Sequence, residues 1–230
     1  MAEENTAPKR LFTPVATANY PYLFAARMPN NAKPGQKARF SVDLYFPPEA
    51  SMTPEDQARL KAINAACLKV AVDKWGVDKV KVWLKDGKLK LPFKKDIASR
   101  EMDEDKFESY IQPWTQNPPG VVSNKAYPKG HEKAGKPIPI VDPKDIYSGC
   151  LLRASVRPWA YDTDGNRGVS LGLQNVQKVG EGERLDGRVE AEDEFEATEE
   201  ADASELESLM GGAGEAGGGS DEDELAALLG

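Results

Sequence analysis

The sequence contains a single histidine, two cysteines and no run of eighteen apolar residues. One histidine, His131, excludes a metal site built from several imidazoles, and a serine–histidine–aspartate triad would have to use it from a lysine- and glycine-rich loop. Cys67 and Cys150 show neither a disulfide framework nor a metal-binding spacing, which predicts a reduced cytoplasmic protein with free thiols. We expect no membrane span, and the polar start MAEENTAPKR lacks the apolar segment of a signal peptide.

Phosphate-binding and catalytic motifs are also missing. The chain has no G-x-x-x-x-G-K-S/T loop and no G-x-G-x-x-G after a strand. The stretch DTDGN (162–166) is similar to the start of a calcium loop, but the distal glutamate is absent and Asp-Gly is typical of a hairpin turn. We therefore expect no catalytic residues, no metal and no cofactor.

The charge is divided unevenly along the chain. The net charge is -8, but residues 181–230 hold 18 acidic side chains against Arg184 and Arg188, a net of 2 - 18 = -16. Residues 1–180 hold 28 basic and 20 acidic side chains, a net of +8. A basic body joined to an acidic tail predicts a polyanionic partner for the body and an interaction role for the tail.

The tail, residues 183–230, is predicted to be disordered because it has too little apolar surface to offset the entropy of ordering. Two similar stretches, ELESLMG (205–211) and ELAALLG (224–230), contain leucines in the same register. They are either stray leucines in a solubilising tail or short motifs that dock partner proteins. On the second interpretation, the docking residues are Leu225, Leu228 and Leu229.

Alternation and capping signals predict the first elements of the body. In ARFSVDLYF (38–46), Phe40, Val42, Leu44 and Phe46 share one face, which is typical of a half-buried strand. A helix is predicted over 54–75, with Thr53 as its N-cap, a proline at its first position and a glycine after its end. Cys67 lies on the apolar face of this helix and is predicted to be a core residue.

Later segments are predicted to be mainly β. KVKVWLKDGKLKLPFKK (79–95) is predicted to be two strands joined by a turn at Asp86-Gly87, and YIQPW (110–114) a further strand. Residues 123–145 are rich in lysine, proline and glycine, which predicts a long exposed loop. The strongest pair runs from about Ile146 to Tyr161 and returns through RGVSLGLQNVQKV.

The stretch LLRASVRPWAY (151–161) places basic and aromatic side chains on its polar face. Leu152, Ala154 and Val156 share one face, and the other carries Arg153 and Arg157, followed by Trp159 and Tyr161 if the alternation continues past Pro158. The return strand has a nearly flat face made of glycine, serine and glutamine, and glycine in a strand often marks the close approach of another molecule.

A basic surface with exposed aromatic rings is typical of single-stranded nucleic-acid binding, because every base can stack on an aromatic ring. The predicted platforms are Tyr45, Tyr110, Trp114, Trp159 and Tyr161. The predicted phosphate contacts are Arg39, Arg153, Arg157, Arg167, Lys85, Lys88 and Lys90. For each aromatic residue the alternative is packing in the core, and for each lysine a solvated surface position.

The segment DIYSGCLLRASVRPWAYD…GNRGVSLGLQNVQKVGEGERL (145–185) resembles the C-terminal core of a bacteriophage single-stranded-DNA-binding protein family. The resemblance is specific over about 40 residues and extends weakly over residues 10–185. It implies an OB-fold barrel, binding of single strands without sequence readout, and a role in phage DNA replication or recombination. Replicative single-strand binders commonly end in an acidic tail with a terminal aromatic residue, whereas this chain ends in LAALLG.

Together these features predict a mainly β protein, with an OB-fold-like barrel of five or six strands over residues 1–182 and the acidic tail over 183–230. We expect a non-catalytic protein in the cytoplasm of the infected bacterium, whose tail docks replication or recombination proteins and competes with DNA. On this basis, deletion of 181–230 is predicted to tighten DNA binding. Two alternatives are an annealing protein that also binds duplex DNA and an interaction scaffold that acts through its tail. The oligomeric state is not predicted.

Overall fold

A computed structural model describes residues 10–30, 32, 34–163, 165–185 and 187. Within these ranges the chain forms nine strands and two α-helices. The strands are β1 (Leu11–Phe12), β2 (Ala16–Arg27), β3 (Arg39–Phe46), β4 (Ser109–Ile111), β5 (Trp114–Thr115), β6 (Gly120–Ala126), β7 (Pro137–Pro139), β8 (Leu151–Thr163) and β9 (Asn166–Gly180). The helices are α1 (Pro54–Trp75) and α2 (Val77–Lys85).

Five of the strands close a ring. β2 pairs antiparallel with β3 and with β8, and β3 pairs antiparallel with β5. β5 then pairs parallel with β9, and β9 pairs antiparallel with β8, which returns to β2. This order is a Greek-key barrel of the OB type, so the predicted mainly β fold is confirmed.

The remaining strands lie beside the ring. β1 pairs with β8, while β6 joins β9 and carries β7 at its outer edge. β4 and β5 both pair with β3, and only Gln112 and Pro113 separate them. The strand predicted over 110–114 is therefore present, but it is interrupted at these two residues. Proline has no N–H to donate to the neighbouring strand, which explains the interruption.

The helix predicted over 54–75 is confirmed with the same bounds. The Thr53 hydroxyl accepts a hydrogen bond from the Asp56 N–H at 3.2 Å, and Gly76 ends the helix with a φ of 83°. Ile63, Cys67 and Ala71 are buried on the face that packs towards the barrel. Burial raises the pKa of the Cys67 thiol to about 12, so the side chain is a neutral core group.

The inner faces of the ring strands form the core, as the alternation in β3 and β8 predicts. The alternation continues past Pro158, because this proline pairs with Leu171 and Trp159 pairs with Ser170. The β8–β9 pairing is irregular instead between Leu151 and Leu152 and between Ser155 and Val156, the latter opposite Gln174 on β9. An extra residue on one strand is absorbed there as a bulge, and Trp159 keeps its outward direction.

The strand–turn–strand predicted over 79–95 is wrong. Its first half is α2, and Asp86 and Gly87 end this helix. The alternation of Val and Lys that predicted a strand is also compatible with a helix, on which Val80 and Trp83 share one face. Val80 is buried on this face, and the Trp83 ring meets the Trp75 ring edge to face at 5.7 Å. Packing against α1 therefore selected the helix over the strand.

Residues 123–145 are not a continuous loop, because they contain the end of β6 and all of β7, which pair with each other. Among the described residues, neither α1 nor α2 combines the length and apolarity needed to span a membrane. The same part of the chain holds no cluster of three or more His, Cys, Asp or Glu side chains placed to share a metal ion.

Candidate nucleic-acid interface

A row of paired residues crosses the outer face of the barrel. Tyr22 on β2 pairs with Ser41 on β3, and Ser41 pairs with Trp114 on β5. Trp114 pairs with Gly172 on β9, and Gly172 pairs with Arg157 on β8. Paired residues in a sheet project to the same side, and at about 4.8 Å per strand the row is roughly 19 Å long.

Three aromatic side chains form what we call the aromatic trough: Trp114, Trp159 and Tyr161. The rings of Trp114 and Trp159 meet at 5.9 Å and 81°, and those of Trp159 and Tyr161 at 5.7 Å and 54°. Trp159 is 38% exposed, and the other two are half-buried. The three rings thus present apolar faces and edges to solvent, from two strands that the sequence separates by more than forty residues.

The flat face of β9 forms the floor between these rings. A Cβ atom at Gly172 would lie 3.9 Å from Trp159 Cδ1, so the absence of a side chain keeps the surface of β9 beside the Trp159 ring flat. Gly168 has a different role. A Cβ atom there would lie 2.6 Å from the Lys90 carbonyl oxygen, because the Lys90 backbone hydrogen-bonds to β9 at this point. The close approach expected at the glycine face is made at Gly168 by the protein itself.

Replacing Gly168 with alanine is expected to lower the free energy of unfolding by roughly 1–3 kcal/mol, because the new methyl group would overlap a backbone oxygen. The matched control is Gly172→Ala, whose nearest neighbour would lie at 3.5 Å. The control is expected to leave stability unchanged or slightly raised. Urea unfolding of both variants measures the difference, and equal stabilities would contradict the assigned role of Gly168.

A cleft of about 550 Å³ lies at the other end of the row. We call it the arginine cleft. Arg39 connects the two regions, because its guanidinium lies 5.3 Å from the centre of the Trp114 ring and its side chain also lines the cleft. The other lining side chains include Tyr20, Tyr22, Arg27, Asp43, Arg100 and Gln112.

The cleft combines a buried carboxylate with half-buried cations. Burial raises the pKa of the Asp43 carboxyl, whereas hydrogen bonds from the side chains of Gln112 and Arg100 act to lower this pKa. Burial lowers the pKa of Arg39 and of nearby Lys94. Since desolvated cations attract an anion more strongly than solvated ones, the cleft is suited to a negatively charged ligand.

The structure corrects two predicted platforms. Tyr45 and Tyr110 are 0% and 2% exposed, and their rings stack on each other at 5.0 Å within a small core that includes Ile97 and Phe107. The polar face of β3 is open to solvent near Arg39 but covered by residues 97–107 near Tyr45. Alternation alone does not reveal such a cover.

The predicted basic residues divide into two groups. Arg157 belongs to the row and is exposed, and Arg39 lies two residues from Ser41 on the same face of β3. Arg153 turns towards α1, where it lies 3.5 Å from Asp56. Arg167 lies on the opposite face of the β8–β9 hairpin, 4.2 Å from the Trp83 ring and 3.6 Å from Asp162. These two arginines are therefore occupied by contacts within the protein.

The lysines predicted as phosphate contacts are not members of the row. Lys85 ends α2, Lys88 forms an ion pair with Asp86 at 3.0 Å, and Lys90 lies beside Gly168. All three are exposed. The predicted docking residues Leu225, Leu228 and Leu229 lie outside the described residues.

Sequence reasoning missed most of the arginine cleft. The stretch NYPYLFAAR (19–27) carries a usable signal, because Tyr20 and Tyr22 flank a proline and an arginine follows. Tyr20 has a φ of 47° at a register shift in β2. Arg100 gives no comparable signal, since it lies in a polar segment and reaches the cleft only through the fold.

Comparisons with known proteins identify similar chains. A family model described as "Enterobacter phage Enc34, ssDNA-binding protein" matches residues 10–206. A solved structure of the single-stranded DNA-binding protein from bacteriophage Enc34 in complex with ssDNA has 18% identity and a TM-score of 0.49, covering 76% of this chain and 88% of that chain. The structure of gp2.5, a single-stranded DNA binding protein encoded by bacteriophage T7, has 18% identity and a TM-score of 0.48. The match covers 86% of this chain and 100% of that chain. No curated protein sequence matches the chain.

Proposed function

Because the chain belongs to the family of the Enterobacter phage Enc34 ssDNA-binding protein, we propose that it binds single-stranded DNA without reading its sequence. The observation that carries this proposal is the aromatic trough, which continues through Arg39 into the arginine cleft. Bases stack on Trp114, Trp159 and Tyr161, and arginines along the row neutralise phosphates.

The mechanism is passive capture. Stacking is insensitive to base identity because all four bases have an aromatic face, and a basic surface follows the backbone whatever the sequence. The protein is non-catalytic on this proposal and acts in the cytoplasm of the infected bacterium, in phage DNA replication or recombination. The acidic tail docks partner proteins of these processes and competes with DNA for the basic face.

A fluorescence titration with an oligothymidine strand tests the proposal. Trp114 and Trp159 are expected to be quenched by stacked bases, whereas Trp75 and Trp83 pack against each other at the junction of α1 and α2. The quenching should therefore persist in Trp83→Phe and fall markedly in Trp159→Phe. Failure of the wild-type protein to bind the strand at moderate salt would refute the proposed function.

Two controls separate the rival functions. A duplex of the same length at matched salt is expected to bind much more weakly, because its bases are already stacked and cannot enter the trough. Equal affinity would favour an annealing protein that engages duplex DNA. Incubation of labelled DNA with magnesium is expected to leave the strand intact, and cleavage would contradict the non-catalytic assignment.

A further inference from the structure

Asp43 places a negative charge inside a surface that we propose binds an anion. Its side chain is 8% exposed and lies on the outer face of β3, two residues from Ser41 in the binding row. Gln112 donates to both carboxylate oxygens, at 2.9 and 2.8 Å, and Arg100 donates to one of them. An acidic group in a polyanion site opposes binding by simple charge repulsion, so its presence needs a reason.

Arg100 contacts four side chains of the protein. Its Nη2 donates to Asp43, and its Nε donates to the Tyr45 hydroxyl at 3.4 Å. Its guanidinium lies 5.8 Å from the Tyr20 ring centre and 5.7 Å from that of Tyr110. The side chain is nevertheless 31% exposed, and a guanidinium has five N–H donors, so donors remain for a ligand in the cleft.

The charges in the cleft do not balance. Arg27, Arg39 and Arg100 line it together with one acid, Asp43. Arg27 donates to the Tyr22 hydroxyl and lies over that ring, and Arg39 lies over Trp114. Of these three arginines, Arg100 is the one whose orientation is fixed by a hydrogen bond to a carboxylate. Since Asp43 neutralises only one of the three positive charges, the cleft keeps a net positive charge that can attract an anion.

We infer that the arginine cleft anchors one phosphodiester of the bound strand, that Arg100 makes the contact, and that Asp43 is a positioning residue that orients Arg100. This inference rests on the proposed binding of single-stranded DNA. It explains why the acid is buried beside the arginine: the gain from a fixed, bidentate-capable guanidinium exceeds the repulsion between the carboxylate and the phosphate.

The sign of one substitution tests this inference. Removing a negative charge near bound DNA tightens binding if charge alone matters, whereas Asp43→Asn is expected to weaken it about fivefold because Arg100 loses its charged acceptor. The matched control is Glu101→Gln, which removes the neighbouring exposed charge and is expected to bind equally or more tightly. Affinity is measured by anisotropy of a labelled oligothymidine over a range of salt concentrations.

Variants of Arg100 complete the test. Arg100→Gln is expected to weaken binding about tenfold and to reduce the slope of log affinity against log salt by about 0.7, the value for one lost phosphate contact on a single strand. Arg100→Lys keeps the charge but loses the planar fork, and is expected to bind about fivefold more weakly than wild type. In the Arg100→Gln background, Asp43→Asn should cause no further loss, because Asp43 acts through Arg100.

The results distinguish failure of this inference from failure of the proposed function. If wild type binds and Asp43→Asn binds as tightly or more tightly, the positioning role is overturned. An unchanged salt slope in Arg100→Gln overturns the phosphate contact. If Asp43→Asn proves unfolded by circular dichroism, Arg100→Lys decides: wild-type affinity in that variant would show that binding needs no oriented guanidinium, which overturns the positioning role of Asp43. Absence of binding by wild type refutes the proposed function itself.

Discussion

The double substitution Trp114→Ala and Trp159→Ala is expected to weaken binding of single-stranded DNA by roughly 100-fold, since stacking contributes about 1–3 kcal/mol per base. The two rings touch each other at 5.9 Å, so each single substitution also disturbs the other platform. The combined loss should therefore differ from the sum of the single losses. Anisotropy titrations of the wild type, the two single variants and the double variant at one salt concentration measure this double-mutant cycle.

The fold should survive these substitutions, because Trp159 is 38% exposed and Trp114 lies outside the main core. Thermal unfolding of each variant provides the control, and a melting temperature close to that of wild type is expected. If Trp159→Ala instead unfolds the protein, its role is structural. If the folded double variant binds normally, the trough does not contact DNA and the proposal loses its main support.

Deletion of residues 189–230 is the second large expected effect. These residues carry 15 acidic and no basic side chains, a net of -15. If the tail competes with DNA for the basic body, as we propose, its removal is expected to tighten binding about tenfold at low salt. The gain should vanish near 1 M salt, where the screening length is about 3 Å.

The position of the cut follows from the structure. Residues 181–185, which fall within the deletion predicted from the sequence, form hydrogen bonds with the segment that leads into β8. The Tyr147 hydroxyl bonds Glu181 and Gly182, and the Leu185 N–H donates to the Ser148 carbonyl at 2.9 Å. A cut at 181 would remove these contacts and mix a change in stability with the change in charge.

Two matched variants separate charge from other effects of the tail. Replacing the 15 acids with their amides keeps the length and should tighten binding as the deletion does. Replacing Leu225, Leu228 and Leu229 with alanine keeps the charge and should leave DNA affinity unchanged while weakening partner docking. Unchanged or weaker DNA binding after the deletion would contradict competition by the tail.

Local signals in the sequence were sufficient for elements whose ends and faces are set by nearby residues. Thr53 and Gly76 fixed both ends of α1, and the period of two fixed the inner faces of β3 and β8. The same period predicted an outward direction for Trp159 and Tyr161 only if it continued past Pro158, which the pairing of β8 with β9 shows that it does. These features depend on spacing within one segment, which the sequence displays directly.

Features made by distant segments could not be predicted in this way. α2 depends on the contact between Trp83 and Trp75, and the burial of Tyr45 depends on residues 97–107. The arginine cleft depends on a pair, Asp43 and Arg100, that the chain separates by 57 residues. The sequence around either residue contains no pattern that indicates its partner, so the pairing can be identified only from the folded structure.

The closed ring has a consequence for how this protein acquires activity during synthesis. β2 pairs on one side with β3, which follows it closely in sequence, and on the other side with β8, which comes much later. Trp114 on β5 likewise pairs with Gly172 on β9. Contacts of such large sequence separation form late and slowly, because long loops must close first. A nascent chain that has not yet emerged through β9 therefore lacks the floor of the trough, and competence to bind DNA should arise in one late step.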